Sequence, residues 1–280
     1  NIELDYKFHN IPELRAVLNL GLEASTAKIN EVFDTNAINA YTLVPDATQP
    51  LGTYIFNSGK SYGESQDISN TTMEGYLAYR KELNGFVNNF DIQGGYSYQN
   101  FKNEGTKELF INDLTSGVRV PNINPLNPTN RYFNELNLQS FFGRANVNLA
   151  DKYLVTLSLR ADGSSFFTEE NRWGYFPSAA LAWKLKEETF IKDIEAINDI
   201  KLRIGWGQTG QQDVSGQVGF YPSTPLFEVG SPESQYITGV NLYNAKEFNP
   251  DLTWEKTTTY NLGVDFDFFK NNLNPKITKG

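Results

Sequence analysis

Acid–base or nucleophilic chemistry needs a base held beside the group it activates, and this chain offers little of that kind. His9 is the only histidine and there is no cysteine, which removes thiolate nucleophiles, cysteine metal sites and a disulfide scaffold together. A single histidine does not make a zinc site. Glu169–Glu170 are chain neighbours, and Asp265 and Asp267 are same-face neighbours without a partner base, so neither pair is arranged for proton transfer. The expectation is a protein that is not an enzyme and holds no metal or cofactor. Asp162-Gly163-Ser164-Ser165 leaves an alternating stretch abruptly. It reads as turn chemistry, with Asp and Ser bonding nearby amides and Gly taking a strained conformation. In "NRWGYFPS", Arg172 and Trp173 could stack on a sugar, although the simpler role for Trp173 is to pin a loop to the rim of a sheet.

Two further sets have the right chemistry for binding. Phe166, Phe167, Phe220, Tyr221, Phe227, Tyr236 and Tyr243 fall in polar, turn-rich stretches, and rings rimmed by polar residues mark contact surfaces for a ligand or a lid. Arg144, Arg160, Lys201, Arg203, Asp265 and Asp267 sit at alternate positions of apolar–polar stretches. They would line the wet side of a sheet, where they either set selectivity or pair with one another.

The elements that must carry these groups are strands. Ile2, Leu4, Tyr6 and Phe8 alternate with polar residues, as do Leu14 to Ala24, Met73 to Tyr79, Phe90 to Tyr98, and Phe141 to Leu149. The same period continues through Tyr153 to Leu159, Tyr175 to Leu185, Leu202 to Trp206, and Tyr260 to Phe268. That gives nine strands, and a tenth is expected from Leu273. Most run nine to twelve residues, close to the ~9–11 that a tilted membrane strand needs. One short helix is expected over 187–197, with Phe190, Ile191, Ile194 and Ile197 on one side. Pro177 inside a strand implies a bulge or a missing ladder bond.

Connections alternate in length. Short ones fall at 10–13, 81–85, 150–152 and 270–274, and long ones at 26–69, 102–135, 162–174 and 207–255. Every long loop then emerges at one end of the sheet, with His9 at the other. This is the pattern of an antiparallel transmembrane β-barrel with short periplasmic turns and long extracellular loops. Tyr98, Tyr153, Tyr175, Trp183 and Phe268 stand where interfacial girdles belong. The competing reading is a soluble sandwich or surface adhesin, in which the apolar faces meet each other. A net charge of −9 without a basic cluster excludes nucleic acid as a partner. No apolar run approaches the ~20 residues of a membrane helix.

One stretch is more specific. "LRADGSSFFTEENRWGYFPSAALAWKLKEETFI", followed by "DIKLRIGWGQTGQQ" and later "FNPDLTWEKTTTYNLGVDFDFF", resembles the SusC/RagA family of TonB-dependent outer-membrane transporters. This chain departs from the family at Phe166, where an Arg is usual, and near Thr168, where a small residue is. The resemblance implies part of a wide barrel of roughly 22 strands in a Gram-negative outer membrane. Residues 1–280 would belong to one barrel domain, with the plug and the C-terminal strands outside them, because nine and a fraction strands fit poorly with the even counts of bacterial barrels. It implies active import of an oligosaccharide or peptide, a SusD-like lid lipoprotein as partner, and TonB engaged through a region outside this chain. A passive porin or small stand-alone barrel is the alternative.

Overall fold

The computed structural model describes residues 1–32, 41–43, 54–56, 61–112, 119–121, 131–212, 220–230, 234, 236–237, 240, 242–268 and 276–279. The strands are β1 (Ile2–Lys7), β2 (Leu14–Val32), β3 (Tyr41–Leu43), β4 (Tyr54–Phe56), β5 (Ser61–Glu82), β6 (Val87–Asn112), β7 (Arg119–Pro121) and β8 (Arg131–Leu149). They continue with β9 (Tyr153–Ser164), β10 (Trp173–Lys184), β11 (Ile197–Gln211), β12 (Phe227–Val229), β13 (Tyr243–Ala245), β14 (Glu255–Phe268) and β15 (Lys276–Lys279). One antiparallel sheet runs β1-β2-β5-β6-β8-β9-β10-β11-β14-β15, with β7 beside β6. Its ends, β1 and β15, are not paired to each other among the described residues. The expected tenth strand is therefore present as β15, and the short turn expected at 270–274 lies outside the described residues.

Register explains the apolar pattern. Leu157 stands opposite Ala145 and Ala179, and Leu181 stands opposite Val155 and Ile204, which in turn faces Leu262. One continuous face is thus apolar, and it is bare: Leu157, Leu159, Ile204 and Leu262 are each at least half exposed. Water would not tolerate such a face, whereas hydrocarbon would. Rings bound it at both edges. Tyr153 stacks on Trp183 at 6.0 Å on the short-turn side, while Phe141 packs between Tyr96 at 5.1 Å and Trp173 at 6.0 Å on the other. Trp173 and Trp183 lie ten residues apart on β10, about 33 Å along the strand, or ~25 Å in height at a barrel tilt of ~40°.

Two expectations need correction. The strands run longer than the alternation indicates: β2 and β8 have 19 residues, β5 has 22 and β6 has 26. Beyond the apolar band both faces meet water, so the pattern stops while the backbone ladder continues. Polar cross-strand contacts hold these extensions, including Thr26 to Asp67 at 2.6 Å, Gln66 to Asn103 at 2.9 Å and Asn100 to Glu135 at 2.6 Å. Much of the stretches expected as loops at 26–69 and 102–135 is consequently strand. The helix expected over 187–197 is instead a 3-10 turn at Leu185–Glu187 followed by further turns. Glu188 is drawn to Lys152, Tyr153 and Trp183, while Lys186 Nζ donates to the carbonyls of Lys192 and Ile194 at 2.9 Å. Helical periodicity loses to these tertiary contacts. At Pro177 the expected missing ladder bond is what is found, without a bulge: its pairing with β9 is continuous, and the ladder to β11 begins only at Ser178.

The short turns are tied to one another. Ala150 and Asp151 both take positive φ, 52° and 55°, the twist that suits a tight hairpin. The Asp151 carboxylate accepts from Asn88 at 2.9 Å and Asn148 at 2.8 Å, and the Asp151 amide donates to Asn88 Oδ1 at 2.8 Å.

Candidate lumen-facing site and the loops above it

Every candidate charge lies on the face opposite the apolar band. Arg160 is in register with Phe142 and Phe176, and Arg203 with Ala182 and Gly263. Arg160 is the most connected. Its Nε donates to Asp162 at 2.6 Å and its Nη2 to Ser140 at 2.7 Å and Ser97 at 3.4 Å, while the guanidinium lies 5.9 Å from the Phe142 ring centre. Side chains of three strands, β6, β8 and β9, thus fix one cation. Around it opens a trough of about 560 Å³, whose lining includes Asn19, Glu74, Gln99, Asp162 and Gln211. Lower on the same face, Asp265 holds Arg203 at 2.9 Å and Lys201 at 3.8 Å. Asp267 shares this face two residues on, opposite Asp199. Arg144 is exposed there and has no ion pair among the described residues. Mutual pairing is therefore the state of three of the four cations.

The loop aromatics divide. Phe166 and Phe167 are buried, each at 3% exposure, in a cluster with Phe176 and Trp254. Phe167 meets Trp254 at 5.5 Å, and Phe176 meets it edge-on at 5.4 Å. Trp254 Nε1 donates to the Arg172 carbonyl at 2.9 Å, and Ser223 Oγ to the Phe166 carbonyl at 2.8 Å. Gly210 is required because a Cβ there would overlap the Phe176 ring. Phe166 and Phe220 also line a smaller recess of about 380 Å³ with Phe101, Leu136 and Leu138. Tyr221 works on backbone: its hydroxyl donates to the Phe133 carbonyl at 3.3 Å and accepts from the Glu135 amide at 3.2 Å. Together with Ser165, which bonds the Asn137 amide and carbonyl at 2.9 Å, it covers the edge that β8 leaves open past the end of β9. Phe227, Tyr236 and Tyr243 remain at least 60% exposed, and Phe227 and Tyr243 share one face of the β12–β13 hairpin. The Arg172 side chain is exposed, and Trp173 lies on the apolar side over Gly163, away from the trough.

That placement corrects the turn chemistry expected at 162–165. Gly163 has no positive φ; it is glycine because the Trp173 ring lies on it, 3.1 Å from where a Cβ would stand. Asp162 takes Arg160 rather than an amide, while Ser164 Oγ does accept the Phe166 amide at 3.1 Å.

Phe176 and Trp254 are functional-region residues that sequence patterning passes over. The signal was available for Phe176, which is apolar in the polar phase of its strand. Gly174, Phe176, Gly210 and Trp254 come from the three stretches that carried the resemblance, and they meet at one point. A family model described as TonB dependent receptor-like, beta-barrel, matches residues 1–278. The chain belongs to this family of TonB-dependent receptor barrels. It is 37% identical to the TonB-dependent receptor SusC of Bacteroides thetaiotaomicron over its whole length, and 34% identical to TonB-dependent receptor P3 of Formosa agariphila over 77% of it. The RagAB peptide transporter shares the fold, with a TM-score of 0.69 at 18% identity over 93% of this chain. The chain spans 26% of SusC, 21% of receptor P3 and 27% of the solved RagAB chain. As a TonB-dependent receptor barrel it resides in the outer membrane, crossed by strands, and no described helix is long and apolar enough to cross.

Proposed function

We propose that residues 1–280 form part of one barrel domain, contributing wall and outer loops to a receptor that actively imports a nutrient, an oligosaccharide or a peptide. The observation that carries this is a family match from 1 to 278 on a sheet with one lipid-suited face and one polar, concave face. In this reading ligand binds at the outer loops and moves along the wall carrying Arg160, while TonB acts through the larger part of the receptor. A passive porin would need no such coupling. The exposed Phe227, Tyr236 and Tyr243 favour a SusD-like lipoprotein lid above the β12–β13 hairpin.

The test is uptake in cells carrying the full-length receptor. Fluorescent oligosaccharides and mixed peptides of matched size should be tested in parallel; whichever is the substrate class should accumulate only with TonB present, and its surface binding should persist without TonB. Accumulation that is indifferent to TonB would replace this reading with a porin. Purification from native membranes should retain a lipoprotein, and Phe227→Asp with Tyr243→Asp should lower its recovery at least tenfold.

A further inference from the structure

We propose that the turn at 185–196 is a foot that dips into the periplasmic leaflet and places Phe190 and Ile194 among phospholipid chains. Its position follows from Glu188. Tyr153 and Trp183 are the girdle rings of the apolar face at the short-turn edge. Girdle rings ordinarily send their polar tips to headgroup water. Here both tips reach protein instead: Tyr153 Oη donates to Glu188 at 2.9 Å and Trp183 Nε1 donates to the same oxygen at 3.0 Å. Lys152 Nζ takes the other oxygen at 2.9 Å. A carboxylate bonded to the tips of lipid-facing rings must itself lie on the lipid side of the wall, and the turn that carries it is held there. Its charge is matched by Lys152, which lowers the cost of sitting at that boundary.

Two residues on from Glu188 the chain exposes Phe190 at 66%, and Ile194 at 44%. Both belong to the turn that Glu188 ties to the girdle rings. Two separated side chains cannot supply the ~1,200 Å² of a stable protein interface, whereas a leaflet needs no matching partner surface. Lipid is therefore the occupant. Its headgroup is zwitterionic, because residues 185–196 carry Lys186 and Lys192 against Glu187, Glu188, Asp193 and Glu195, a net repulsion toward anionic lipid.

The test uses the full-length receptor in phosphatidylethanolamine nanodiscs, with a nitroxide placed at Phe190→Cys, Ile194→Cys or, as an aqueous reference, Asp193→Cys. Collisional access to oxygen should exceed access to a nickel chelate several-fold at 190 and 194, with the reverse at 193. Added phosphatidylglycerol should not increase it. Glu188→Ala, which removes the acceptor for both rings, should erase the oxygen preference at both positions. Nickel access equal at all three sites, or an oxygen preference untouched by Glu188→Ala, overturns the proposal. Assembly of each variant is read from heat-modifiable mobility. If labelling blocks assembly, photoactivatable phosphatidylethanolamine decides on the unlabelled receptor: crosslinks fall within 188–196 or they do not.

Discussion

Trp254→Ala is expected to be the most damaging single truncation in this segment, because it empties the centre of the only buried hydrophobic cluster among the described residues. Removing a buried aromatic costs about 3–5 kcal/mol, and here two tethers go with it. The Arg172 carbonyl loses its donor, and Phe167 and Phe176 lose the ring they both contact. The transmembrane ladder does not depend on the cluster, so the barrel should still assemble and show heat-modifiable mobility. What should change is the loop region: 165–172, 220–230 and 242–254 should become cleavable by proteinase K in intact cells, at sites protected in the parent. Gly210→Val should give the same cleavage pattern by overlapping the Phe176 ring, and combining it with Trp254→Ala should add little, since both strike one cluster. Unchanged protease resistance in both would mean the loops are held by something other than these rings.

That cluster also marks where sequence reading worked and where it stopped. Alternation finds every strand where one face meets hydrocarbon, as with Leu157, Leu181 and Ile204, since only there does the environment impose a period of two. It cannot see the polar halves of β5 and β6, where Gln66–Asn103 and Asn70–Gln99 pair in water on a strand of the same geometry. Phe166 and Phe167 were legible as loop aromatics but not as buried ones, because what buries them is Trp254, some 87 residues later in the chain. Arg160 was legible as wet-facing from its phase alone. Its partners Ser97 and Ser140 were not, since they depend on the register of three strands. The turn at 185–196 failed for a similar reason: a helical spacing of apolar residues is overridden when Glu188 is drawn to Tyr153 and Trp183 on β9 and β10 and to Lys152 in the turn before β9.

The face assignment itself can be tested by one pair of substitutions. Ile204 and Gly205 are adjacent on β11, so their side positions point to opposite faces. Ile204 stands in the apolar row between Leu181 and Leu262. An arginine there would meet hydrocarbon between the Trp183 girdle and the middle of the band, at a cost of about 1–3 kcal/mol, short of the midplane value. Gly205 sits on the polar face beside Thr156, Ala180 and Asn261, against an open recess of about 560 Å³ with no side chain closer than 3.8 Å to a new Cβ. Gly205→Arg should therefore be accepted with little loss, although it is the larger change in volume. In urea titrations of the receptor refolded into vesicles, Ile204→Arg should lower the unfolding free energy by the stated amount and Gly205→Arg by less than 1 kcal/mol. The opposite order would put water where the apolar band lies and lipid where Arg160 and Arg203 lie. A soluble sandwich gives a third outcome: with the apolar face packed against a second sheet, Ile204→Arg would leave an unpaired charge in a core and abolish folding outright.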